Sequence, residues 1–124
     1  MTDITPYLNR LDLIKDTALQ VIKDFGMSGM EVKFSGDPES AYTELYSQIL
    51  PHIEKLQKEN FQNFYNLMYR IDISETLIKK EVSRAVDKTF SQAITDLILK
   101  RELLKVVTRK KYSAESETKK GEIT

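Results

Sequence analysis

Apolar residues along this chain recur mostly at intervals of three and four, the spacing that lines side chains up on one face of an α-helix. A first repeat runs through Tyr7, Leu8, Leu11, Ile14, Ala18, Val21, Ile22 and Phe25. Thr5 can cap its start, and Pro6 suits a first helical position because its missing N–H has no intrahelical partner there. Gly26 follows where a left-handed C-cap favours glycine. A second repeat opens after Asp37-Pro38 and takes in Ala41, Tyr42, Leu45, Tyr46, Ile49, Ile53 and Leu56, resuming at Phe61, Phe64, Tyr65 and Met68. Pro51 inside this repeat predicts a kink, and Glu59-Asn60 is a second place where it can divide. A third repeat follows Ser74, with Ile73 and Ile78 placed for a hydrophobic staple and Asp72 as a competing cap. It passes through Leu77, Val82, Ala85, Val86, Phe90, Ala93, Ile94, Leu97, Ile98, Leu104 and Val107, and neither Gly nor Pro occurs between 74 and 113.

These repeats predict an all-α fold. It is an antiparallel three-helix bundle, of four segments if the middle helix breaks near Pro51 or Asn60, with a long C-terminal helix. Residues 1–112 form a single domain. The Ser/Glu/Lys/Thr-rich stretch 113–124 reads as a disordered polar tail. The third helix outruns the first, so its stripe near Leu97, Leu104 and Val107 needs cover, and a second copy of the chain is the simplest candidate. Between the first two helices, 30–34 alternates apolar and polar residues as a strand does. An extended loop pinned by Val32 and Phe34 is preferred, because a lone strand cannot satisfy its own backbone.

Composition narrows the chemistry. In 124 residues, 40% hydrophobic and 31% charged, nineteen basic side chains balance nineteen acidic ones, so no global charge drives binding to nucleic acid or anionic lipid. Cysteine is absent, which removes disulfides, thiolate metal sites and cysteine nucleophiles and points to a reducing cytoplasm. The first residues lack the basic and apolar regions of a secretory signal, and no apolar run is long enough to span a membrane. His52 is the only histidine. With no ligand partner at helical spacing, it reads as a solvent-exposed structural residue rather than a metal ligand or general base. No E-x-x-H pair, nucleophile elbow, P-loop or dinucleotide fingerprint occurs. The expectation is therefore a non-enzymatic protein with no catalytic residue, metal or cofactor, and no small-molecule substrate.

Three regions are candidates for contact with a partner. Arg70, in the junction 69–75, can bridge Asp72 or Glu75, which is the preferred reading, or hold a carboxylate or phosphate in its fork. The aromatic cluster Phe61, Phe64, Tyr65 and Tyr69, with Tyr42 and Tyr46, exceeds what one seam needs, and the surplus suits a homodimer contact. Lys100, Arg101, Lys105, Arg109, Lys110 and Lys111 stand against Glu102 alone. They either complement a helix C-terminus or dock on RNA, DNA or an acidic partner. Two functions follow: a protein-interaction or oligomerisation module, and alternatively a nucleic-acid- or ribosome-associated accessory protein.

The phrase Leu67-Met68-Tyr69-Arg70-Ile71-Asp72-Ile73-Ser74-Glu75, followed by Ile98-Leu99-Lys100-Arg101-Glu102, resembles a pairing in short, Bacteroidetes-like bacterial helical proteins of no assigned activity. The resemblance covers about a third of the chain. It implies a bacterial cytoplasmic protein and transfers no activity, cofactor or site residue.

Overall fold

The computed structural model describes residues 10–123, with side chains as far as Tyr112. The described residues are all-α and contain no strand. Five helices, α1 (Leu11–Gly26), α2 (Ala41–Glu59), α3 (Phe61–Ile71), α4 (Glu75–Arg84) and α5 (Phe90–Ile123), stand where the spacing predicts three or four. Thr5-Pro6, the expected start of the first helix, lies outside the described residues. The backbone of 113–124, expected to be a disordered tail, is helical as far as Ile123.

The helix boundaries have local causes. α1 ends at Gly26, but the left-handed turn belongs to Gly29 (φ 78°), where it lets the Met30 N–H reach back to the Phe25 carbonyl at 2.9 Å. α2 runs through Pro51, and the break falls at Asn60 instead. Asn60 is extended (φ −154°) and its side chain accepts the Asn63 N–H at 3.2 Å, capping α3. Asp72 does not cap the next helix. It closes α3 in the left-handed region (φ 66°), and Ser74 caps α4 by accepting the Leu77 N–H at 3.1 Å. The third predicted helix is interrupted over 85–89. Thr89 and Gln92 form a reciprocal capping box there: the Gln92 N–H donates to Thr89 Oγ1 (3.1 Å) and the Thr89 N–H to Gln92 Oε1 (2.9 Å).

α5 is the helix the others pack on. Its residues 93–99 are buried on every side, the signature of a core helix rather than an amphipathic surface one. Phe25, Ile49, Ile53, Phe64, Leu67, Ile71, Ile94, Leu97 and Ile98 lie in one core with almost no exposure. A smaller apolar cluster joins Leu13 of α1 to Leu103, Val106 and Val107 of α5. Asp24, Gln20 and Asp12 of α1 meet Lys105, Arg109 and Lys110 of α5 in turn, so these two helices lie antiparallel. Leu97, Leu104 and Val107, expected to need a second copy for cover, are all buried within the single chain.

The connection 27–40 is the extended loop preferred above. Val32 is buried and Phe34 packs on the core. Its backbone is paired by side chains of α2. Gln48 accepts the Lys33 N–H at 2.8 Å and donates to the Lys33 carbonyl at 2.7 Å. Glu44 accepts the Ser35 N–H at 2.9 Å, and His52 Nε2 meets the Glu31 carbonyl at 3.0 Å. Two residues of extended chain advance about 6.6 Å and four of helix about 6 Å, so Glu44, Gln48 and His52 match Ser35, Lys33 and Glu31 in register.

Candidate interaction face

The basic run 100–111 is largely turned inward on its own chain. Arg101 donates to the Asp72 carbonyl (3.1 Å) and to Asp72 Oδ2 (2.6 Å). Lys105 lies 3.3 Å from Asp24 Oδ2 and 3.2 Å from Glu102 Oε1. Arg109 donates to Gln20 Oε1 at 2.8 Å. Lys110 sits 2.7 Å from Asp12 and 3.1 Å from Asp16, and its hydrogen bond holds the Asp12 carboxyl down at about 2. Lys100 and Lys111 are exposed. The charges that suggest a nucleic-acid surface thus mostly clamp α5 to α1 and to the end of α3.

Arg70 bridges neither Asp72 nor Glu75. It donates to Ser28 Oγ at 2.6 Å and points at the Asp24 carbonyl 3.5 Å away, so it ties down the end of α1. Asp72 is engaged by Arg101 instead. His52 is half-buried rather than solvent-exposed and pairs with the loop backbone at Glu31.

Sequence reasoning missed a buried charge cluster. Glu102 is fully buried and Asp24 nearly so, with Lys105 as their shared cation. Burial, and then the neighbouring Asp24 carboxylate, push the Glu102 carboxyl up to about 8. Burial also acts to raise Asp24, but hydrogen bonds from Glu102 and Gln20, together with Lys105, hold it below its ordinary value. Glu102 Oε1 accepts from Lys105 at 3.2 Å, and the buried Oε2 has no hydrogen-bond partner. A second such group is Asp96, to which Lys88 and the Tyr42 hydroxyl both donate. Burial and the Asp96 carboxylate raise the Tyr42 hydroxyl well above its usual range. The signal for both clusters is a carboxylate inside an otherwise apolar helical repeat, at Glu102 and at Asp96.

Three surface clefts are lined by neither Glu102 nor Asp24, while Lys88 and Asp96 line one of them. The most apolar of them, about 170 Å³, lies between Ile14, Thr17, Tyr42, Leu45, Leu99 and Leu103. Among the described residues no three His, Cys, Asp or Glu side chains are grouped to hold a metal, and no helix is long and apolar enough to cross a membrane.

What is displayed outward is aromatic. Phe64, Leu67, Met68 and Ile71 turn α3 into the core, which leaves Phe61, Tyr65 and Tyr69 along its flank at steps of four, with the Phe61 and Tyr65 rings each 5.6 Å from that of Phe64. They are 48%, 42% and 89% exposed, and the Phe61 and Tyr65 rings meet edge to face with centroids 5.3 Å apart. Gln62 and Asn66, bonded to each other at 3.1 Å, flank them. Residues 60–69 carry no charged side chain, the longest such run in the sequence. Comparison of the chain with protein-family models, curated proteins and solved structures found no match.

Proposed function

We propose that this protein is a non-enzymatic interaction module whose docking surface is the aromatic face of α3, and that a second copy of the chain occupies it. The observation that carries this reading is the exposed Phe61–Tyr65–Tyr69 ladder on an uncharged helix face. Interface cores are depleted of charge and enriched in Tyr and Phe, while monomer surfaces seldom line up three large aromatics. Self-pairing about a two-fold axis near Tyr65 brings Phe61 of one copy to Tyr69 of the other and sets no like charges together. On this reading the module is cytoplasmic, in keeping with the absence of cysteine. The nucleic-acid alternative loses its footing, because four of its six cations are engaged within the chain.

A large aromatic buries at most about 150–250 Å², so the exposed parts of three supply roughly 300 Å² per copy. A standard interface buries about 800 Å² per partner. The pair is therefore weak, and dissociates in the micromolar range or above. Sedimentation of the protein from about 10 μM to about 1 mM is expected to show reversible dimerisation. Tyr65→Asp, which sets two charges against each other at the axis, is expected to weaken it at least tenfold. A clean monomer throughout, or unchanged association of Tyr65→Asp, refutes the reading.

A further inference from the structure

We infer that the cleft between α1, α2 and α5 binds a small organic ammonium ion, a primary amine carrying an apolar group of about six or seven carbons. The cleft has a structural origin. α1 and α2 both pack on α5 and scarcely on each other, so the two helices diverge above it. Ile14, Leu45, Leu99 and Leu103 line the gap with apolar surface. The half-buried Pro38 and the exposed Glu39, just before α2, form its rim. Its volume of about 170 Å³ is close to the roughly 150 Å³ of an apolar cavity that takes up benzene. One six-carbon ring or a branched chain of similar size fits, and a long acyl chain does not.

The polar groups of the lining select the charge. Thr17 Oγ1 donates its only proton to the Leu13 carbonyl at 2.7 Å, which leaves it lone pairs alone to offer the cleft. The Tyr42 hydroxyl likewise donates to Asp96. The Tyr42 ring, packed on Tyr46 with centroids 5.7 Å apart, adds a π face that attracts a cation. Glu39 is an acceptor outright. Its backbone N–H is held by Asp37 Oδ1 at 3.1 Å, and among the described residues no cation pairs with its carboxylate. The side chains that line the cleft therefore present acceptors only, and none of them is cationic. A positively charged group with several N–H donors satisfies them, whereas a carboxylate or phosphate meets only lone pairs. Ala41, the first residue of α2, also lines the cleft, and a helix start by itself favours an anion. Asp37, Glu39 and Glu44 already supply that negative charge within four residues of it. The ligand's ammonium group thus meets Glu39 at the rim while its apolar group lies against Leu45, Leu99 and Leu103. This site shares no residue with the α3 face, so it stands or falls separately from that reading.

The test is an NMR titration of the full chain with 2-phenylethylammonium, 2-phenylethanol and phenylacetate, which share one ring and differ in charge. The ammonium ion is expected to bind saturably with a Kd of about 1–10 mM, in keeping with its small size, and to shift the methyl signals of Leu45, Leu99 and Leu103. The alcohol is expected to bind about fivefold more weakly, and phenylacetate at least about tenfold more weakly. Glu39→Gln, at an exposed position, is expected to fold normally, to weaken binding of the ammonium ion about three- to fivefold and to leave that of the alcohol unchanged. Ala41→Leu fills the cleft and is expected to abolish binding of the ammonium ion. Should it fail to fold by circular dichroism, Thr17→Val, of the same shape without the acceptor, takes its place and is expected to weaken the ammonium ion about threefold. The inference is overturned if phenylacetate binds as tightly as the ammonium ion, if Glu39→Gln leaves the affinity unchanged, if the folded cleft variant binds as the parent does, or if the shifted methyls lie elsewhere.

Discussion

At the scale of single residues, the most consequential side chain is Glu102. Its carboxyl stands near 8 in the folded chain against an ordinary 4.5, so across that interval the folded state holds a proton that the unfolded chain has lost. The stabilisation is full below about pH 4.5 and is lost as pH rises to about 8. Asp24, held below its ordinary value, works in the opposite sense, and its contribution is lost as pH falls through its folded value. Urea unfolding at pH 5 and pH 9 should therefore show a loss of up to a few kcal/mol at the higher pH, since a tenfold change in proton affinity between folded and unfolded chain is worth about 1.4 kcal/mol. Glu102→Gln reproduces the protonated form, with an oxygen for Lys105 and an N–H for Asp24. It is expected to flatten that dependence and to exceed the parent in stability at pH 9. The sequence made the cations of this region visible but not their destinations, because Lys105 and its partner Asp24 are far apart along the chain and no local spacing links them.

At the scale of elements, the apolar repeats were legible and their interruptions less so. The column Ala41, Leu45, Ile49 and Ile53 is buried as its spacing implies, whereas of the resumed repeat Phe64 and Met68 are buried, Phe61 and Tyr65 are exposed, and Leu67 and Ile71 complete the core face instead. The break at Asn60 was one of two places the spacing left open, and its cap bond to Asn63 decides for it. The elbow at 85–89 was obscured by an unbroken apolar rhythm, although Thr89-x-x-Gln92 carries the mark of a helix start. Also hidden was the polar column Glu44, Gln48 and His52, which reads as solvated until the loop is laid against it. Gln48 takes the place of a neighbouring strand for Lys33. Gln48→Ala is expected to cost about 1–2 kcal/mol and to speed hydrogen exchange at the Lys33 amide, while amides in α5 keep their relative order of protection.

At the scale of the whole molecule, the all-α class followed from the repeats, but the central place of α5 did not. A repeat read as one stripe turned out to be covered all round at 93–99, because α1, α2, α3 and α4 each pack on this helix. The surplus of aromatics was likewise legible, whereas which of them faces outward depends on how α3 is rotated in the core. This asymmetry sets the mutational response. Leu97→Ala, in the core, is expected to destabilise by about 3 kcal/mol, and Tyr69→Ala, outside it, by under about 0.5 kcal/mol, both read from chemical unfolding midpoints. The order of the helices also bears on how the chain is made. The rod that roofs the other four leaves the ribosome after them, so their greasy sides stay bare until translation has passed it. During that interval the nascent protein is most in need of a chaperone and most open to capture by its neighbours on the same message.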